Sequence, residues 1–288
     1  MKNLHILLLT FVMSVFMSSC STSDDNDTNN NEPLVGNYFP SANTNIWTYD
    51  VDNTSTTNPD LNFTDAPDFV TIETSSGNTF TLEINNGGIS NGIMNGFLGN
   101  GNLTRGDSTL SYTGNIELPG EFQNFTSETI MLQNFELYNL NAANNAVFGE
   151  LGGVIVEDLD LNGTIVPLTV EYLITSQKIS QMNSMSVNGQ SYSNVTRSRL
   201  TLNMNIFASI DLLGGSNPAD YSIISDQDVL VIDNYFAENF GLIKSEAVYS
   251  YELEQQFIDL LELIPNTVDV PESMNVVNIQ DLDDAQIN

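Results

Sequence analysis

Apolar residues recur at every second position over most of this chain, and that period leaves few folds open. Leu200, Leu202, Met204 and Ile206 alternate strictly with Thr201, Asn203 and Asn205. Successive side chains on a strand point to opposite faces, so such a segment buries one face and wets the other. The same period runs through Val70 and Ile72, then Phe80, Leu82 and Ile84, then Leu110 and Tyr112. Ile116 with Leu118 and Ile130 with Leu132 continue it. Turn chemistry punctuates the pattern. Ser75-Ser76-Gly77-Asn78 joins two of these runs, and Asn162-Gly163 and Asn188-Gly189 supply the positive φ angles of type I′ hairpins.

The first Asn-Gly pair connects a strand opening at Val154 to a return strand carrying Val166, Leu168, Val170, Tyr172 and Ile174. Pro167 has no N–H to give a ladder, which places that strand at an edge or at a bulge. The second pair connects Met185-Val187 to a strand with Tyr192 and Val195. Val229–Phe236 and Leu242–Tyr251 form the last expected pair. One segment departs from the period. Leu253, Phe257, Leu260, Leu261 and Ile264 fall at helical spacing and Pro265 stops the run, which predicts an amphipathic helix near the C-terminus. The fold class is therefore mainly β: an antiparallel curved sheet or half-barrel with a C-terminal amphipathic helix, a β-sandwich being the alternative.

Composition bounds the chemistry. With 41% apolar residues, the region from 35 to 288 is expected to fold as a single β-rich domain. The only histidine is His5 and the only cysteine Cys20, so no Ser-His-Asp triad, Cys-His pair, ordinary zinc site or disulfide is expected. Six bases stand against 37 acids, a formal net charge of −31. Such a chain repels phosphate backbones, and nucleic acid is not an expected partner.

The N-terminal stretch carries the most specific motif. Lys2 precedes an apolar run from Leu4 to Met17, too short for a membrane span but suited to an export signal. Met17-Ser18-Ser19-Cys20 resembles a bacterial lipobox, with Met17 where Leu is usual and Ser19 where Gly or Ala is commoner. The resemblance implies cleavage after residue 19 and acylation of Cys20; an ordinary secretory signal leaving a free thiol is the alternative. Residues 20–34 then form a polar tether, and the acidic Asp24-Asp25-Asn26-Asp27 resembles a surface-export signal of Bacteroidota lipoproteins. A solvated linker explains the same composition. The expected location is the outer membrane, lipid-anchored and facing the cell exterior.

Two further stretches carry a family likeness. Tyr38-Phe39-Pro40 followed by Trp47-Thr48-Tyr49 resembles the opening of many uncharacterised Bacteroidota lipoproteins, and Tyr235-Phe236-Ala237 with Gly241-Leu242-Ile243-Lys244 resembles their closing hairpin. Asn43-Thr44-Asn45 replaces a glycine usual before the tryptophan. The likeness implies a shared β scaffold and no particular activity.

Asp158-Leu159-Asp160-Leu161-Asn162-Gly163 matches the first half of a calcium loop, with Asp158, Asp160 and Asn162 as ligands, but Thr169 stands where the closing acid belongs. A strand running into an Asn-Gly turn accounts for the same residues. Asp107-Ser108-Thr109 resembles a short O-glycosylation motif. Residues 85–107, rich in Gly and Asn, read as a long loop that is either a binding loop or mobile. No catalytic residue stands out. The expected function is a non-enzymatic envelope lipoprotein, serving as scaffold or binding a protein, glycan or apolar ligand. No cofactor beyond the calcium candidate is expected. The alternative is a surface hydrolase acting through carboxylates, with or without calcium.

Overall fold

A 12-stranded antiparallel sheet wraps almost into a barrel. The computed structural model describes residues 34–55, 65–116, 129–161, 164–210, 219–263 and 271–288. In chain order the strands are β1 (Ile46–Ser55), β2 (Asp68–Ser76), β3 (Thr79–Ile84), β4 (Gly101–Arg105), β5 (Thr109–Ile116) and β6 (Ile130–Asn139). They continue as β7 (Val147–Leu161), β8 (Thr164–Val187), β9 (Gln190–Ile210), β10 (Ala219–Ala237), β11 (Gly241–Glu252) and β12 (Ser273–Gln286). Two short helices interrupt them, α1 (Ile93–Gly99) and α2 (Gln255–Leu263).

The order across the sheet is β6-β5-β4-β3-β2-β1-β12-β11-β10-β9-β8-β7. Two six-stranded meanders are thus welded where the first strand meets the last, from Ile46↔Gln286 to Ser55↔Val276. The seam lies between β6 and β7, which are adjacent in the chain. The link between them is tied to β8: Asn145 N–H donates to the Lys178 carbonyl and Lys178 N–H to that of Ala146, extending the β7–β8 ladder. The mainly β reading holds, and α2 is the amphipathic helix expected near the C-terminus. Phe257 and Leu260 on its inner side are buried, and Glu254 N–H just before it bonds the Ile223 carbonyl of β10.

The alternation of the sequence becomes a lining and an outer face. Leu200, Leu202, Met204 and Ile206 are all at most 3% exposed, whereas Arg197 and Arg199 point outward. At Asn188-Gly189 the φ angles are 47° and 80°, and Val187 pairs with Gln190 across the turn. In β7 and β8 the register runs to Leu161↔Thr164, while Asn162 and Gly163 lie outside the described residues.

Three sequence expectations change. Strand β8 is internal, paired to both β7 and β9; Pro167 is tolerated because it opposes Asp158 of β7 one residue before the β9 ladder starts at Leu168↔Ala208. The stretch 85–107 is not a loop: it holds α1 and β4. The strand pair ending at Tyr251 is not the last, because β12 follows α2 and occupies the centre of the sheet.

The two family-like stretches, far apart in sequence, meet at one end of the barrel. Phe39 packs on Trp47, Phe80 and Phe236 with ring centroids 5.6, 5.4 and 6.5 Å away, and Tyr138 stacks on Phe236 at 5.0 Å. Trp47 Nε1–H donates to the Phe240 carbonyl at 2.6 Å and Tyr49 O–H to the Leu242 carbonyl at 2.7 Å. These bonds pin β1 to the β10–β11 turn. That turn is tight, with Asn239 at φ 66° and Gly241 at φ 90°, a conformation that favours glycine.

Candidate functional site

Helix α1 lies inside the sheet, and its buried end is held by acceptors rather than by packing alone. Asp68, at the start of β2, is fully buried and accepts six hydrogen bonds of 2.8–3.1 Å. Its Oδ1 takes the Asn85 and Asn91 side-chain amides and the Asn91 backbone N–H. Its Oδ2 takes Ser90 Oγ, the Gly92 N–H and the Asn95 amide. The next donors of the helix go to β12: Ile93 N–H to Asn278 Oδ1, and Met94 and Asn95 N–H to Gln280 Oε1. Helix N-termini expose unpaired N–H groups, and a buried end needs acceptors for them. Burial alone would push the Asp68 carboxyl up, but the bonds from Asn91, Asn85, Gly92 and Asn95 outweigh it and hold the group below the usual carboxylate range. Asp68 is thereby committed to structure.

One face of α1, with Met94, Asn95 and Leu98, is buried against the sheet. The other face, Ile93, Gly96, Phe97 and Asn100, borders a cavity of about 240 Å³. Across the cavity stand Leu200 of β9 and Leu230 and Ile232 of β10, with Asn115 and Ile116 of β5 at one side and Ser90 and Gly92 beside the helix. Phe97 is fixed by Tyr112, its ring centroid 4.3 Å away. Among the described residues the lining carries no charged side chain. In a chain with 37 acids that is a selective environment: apolar walls, amide and hydroxyl groups, and no carboxylate to attract a cation.

The five bases among the described residues, Arg105, Lys178, Arg197, Arg199 and Lys244, all have partners. Asp233 accepts from Arg197 and Arg199 at 2.7 Å each on the outer face, and the Arg197 guanidinium stacks 5.4 Å from the Tyr235 ring centre. Lys244 contacts Asp281 at 2.8 Å and Glu246 at 3.3 Å. Arg105 donates to Asn37 Oδ1 and the Phe39 carbonyl. Lys178 faces the interior, 5% exposed, donates from Nζ to the Leu140 carbonyl, and is lowered from its ordinary pKa by burial. Among the described residues three acids, Asp233, Glu246 and Asp281, therefore gain an ion pair from these bases, and carboxylates without one repel one another. Sodium chloride should raise the melting temperature between low salt and about 0.5 M, flattening as the screening length nears contact distance. A flat or falling melting curve across that series would show that self-repulsion does not govern stability here.

The sequence-derived candidates are placed as follows. Cys20 and Asn162 lie outside the described residues. Asp158 is exposed on β7 opposite Pro167, and Asp160 lies two positions on, opposite Ile165. Among the described residues no three His, Cys, Asp or Glu side chains are grouped to hold a metal ion. Asp107 and Ser108 sit in the β4–β5 turn, where their carbonyls accept from Gly36 N–H and Leu140 N–H. Asp107, Ser108 and Asp158 do not border the cavity. Its helix escaped sequence reading because Gly96 and Gly99 interrupt a run of only seven residues; the one available signal was the i, i+4 spacing of Ile93 with Phe97 and Met94 with Leu98. No protein-family model, curated protein or solved structure matches the chain.

Proposed function

We propose that this chain is a lipid-anchored envelope protein, held in the outer membrane by acylated Cys20 and facing the cell exterior, whose barrel-like domain is a non-enzymatic binding module. The observation that carries the binding reading is the cavity of about 240 Å³ between α1 and the β9–β10 wall. Barrel interiors closed at one end by packed aromatics and left open to a small ligand elsewhere are a recurrent way for β proteins to bind. Here the aromatic cluster around Phe39 fills one end, and α1 narrows the rest. The buried carboxylate beside the cavity, Asp68, is saturated with donors, which favours binding over acid–base hydrolysis by paired carboxylates.

The anchor rests on Met17-Ser18-Ser19-Cys20 after the apolar run. Two or more acyl chains give stable attachment, at about 0.8 kcal/mol per buried methylene. Cys20→Ser should therefore move the protein out of the membrane fraction or leave it unprocessed. Processed protein that stays with the membrane after this change would overturn the anchor.

A further inference from the structure

Two rows of interior side chains adjoin at the cavity. The first is apolar: Leu200 and Ile232 are paired across β9 and β10 and line it. Two residues further along both strands, about 7 Å away on the same face, Ser198 pairs with Asn234. The row continues as Asn234↔Ser245 into β11 and Ser245↔Gln280 into β12. These four residues are at most 2% exposed. Among the described residues, Ser198 Oγ, Asn234 Oδ1, Ser245 Oγ and Gln280 Nε2 have no hydrogen-bond partner.

Buried polar groups are almost always paired, because an unpaired one has given up its hydration for nothing. Four such atoms in one row across four neighbouring strands form a hydrogen-bonding surface. Its polarity is set. Gln280 Oε1 already accepts from Met94 and Asn95, which leaves Nε2 as a donor, and Asn234 Oδ1 is an acceptor. None of the four lines the cavity itself; the row lies directly behind Gly92, which does line it and packs so closely that a Cβ there would lie 2.3 Å from Gln280 Cδ.

We propose that the cavity and this row make one site for a neutral, single-ring small molecule bearing a hydrogen-bonding substituent. The ring lies between Ile93, Phe97, Leu200 and Ile232, and the substituent reaches Asn234 and Gln280. This deepens the binding reading and rests on it. Size sets the scale, since a cavity of about 150 Å³ holds benzene and this one is about 240 Å³. Charge sets the class: a buried ion without a partner is costly, among the described residues the cavity lining offers no counter-ion, and Lys178, paired with Ser198 at the β8 end of the row, gives its Nζ to the Leu140 carbonyl. The row sets the substituent, because a site built to hydrogen-bond a hydroxyl rejects the analogue that lacks it.

The test is calorimetric titration of 4-methylphenol, toluene and 4-methylbenzoate into the full-length chain carrying Cys20→Ser. The expected result is that 4-methylphenol binds at least tenfold more tightly than toluene or 4-methylbenzoate. Asn234→Leu, with Ser245→Ala as a second variant, should erase the preference over toluene while keeping toluene binding. Gly96→Leu and Leu230→Phe narrow the cavity and should weaken both neutral compounds at least tenfold. Equal binding of 4-methylphenol and toluene, unchanged by Asn234→Leu, would overturn the proposal and leave the cavity as an apolar site with a hydrated floor. Tighter binding of 4-methylbenzoate would overturn it by charge. Failure of every compound to bind, or binding indifferent to the narrowing variants, would remove the cavity as a binding site altogether.

Discussion

Replacing Asp68 by Asn should destabilise the protein by about 2–4 kcal/mol, because buried neutral donors lose a charged acceptor and at least one is left unpaired at about 1–3 kcal/mol. The substitution is isosteric, so the loss does not come from packing. Both carboxylate oxygens of Asp68 receive three donors each. Whichever way an amide is turned, its NH₂ must face three of those donors, and the Gly92 or Asn91 N–H loses its acceptor. Helix α1 then loses the fixed end that places Ile93 and Phe97 at the cavity. For a domain of this size 1 kcal/mol shifts the melting temperature by about 2–4 °C, so a fall of about 10 °C is expected. A change under about 2 °C would mean that the hub is not what holds α1.

The pH dependence follows from the same group. The folded-state pKa of Asp68 is depressed, and so is that of Asp233, where burial is outweighed by Arg199 and Arg197. A depressed carboxylate stabilises above its unfolded pKa of about 3.9 and loses that contribution as pH falls through the folded value. Mild acidification towards pH 5 should first raise stability by neutralising part of the self-repulsion. Below about pH 4 the wild-type melting temperature should fall steeply, and the Asp68→Asn variant should fall less steeply. Parallel wild-type and variant curves in that range would contradict the assignment.

Trp47→Ala should cost about 3–5 kcal/mol, the range for removing a buried tryptophan. Trp47 is fully buried, packs 5.6 Å from Phe39, and donates to the Phe240 carbonyl across 193 residues of sequence. Removing it leaves a void under Phe39 and an unpaired carbonyl in the β10–β11 turn, so two penalties add. Trp47→Phe keeps most of the ring and forfeits the hydrogen bond, for an expected loss of about 1–2 kcal/mol. Urea midpoints of the two variants against wild type give the comparison. Equal losses would place the whole effect in the hydrogen bond; a negligible loss for Trp47→Ala would mean that the cluster does not close this end of the sheet.

These predictions mark where sequence and tertiary structure divide. The strand character of β2, β3, β8, β9 and β11 was legible because each has one apolar and one polar face, and period two expresses that difference directly. The Asn188-Gly189 turn was legible because positive φ at both positions restricts residue choice. Helix α2 was legible from the spacing of Phe257, Leu260 and Leu261. Strand β12 was not. It alternates as strictly as β9, with Met274, Val276, Asn278, Gln280 and Leu282 on the inner face, but two of those inner residues are polar. Asn278 and Gln280 are there because α1 ends against them and needs acceptors. The exception to the pattern is thus the footprint of a neighbour some 185 residues away in sequence.

The candidate site was illegible for the same reason. Its helix is seven residues long with glycine inside it, and a helix so short is not stable on local terms. It exists because Asp68, Asn278 and Gln280 satisfy its first N–H groups from β2 and β12. A chain written alone determines which residues prefer a strand and which faces avoid water. Only folding decides which strand meets which, and so which buried acceptors face which donors, because those energies belong to pairs of residues and not to either sequence neighbourhood.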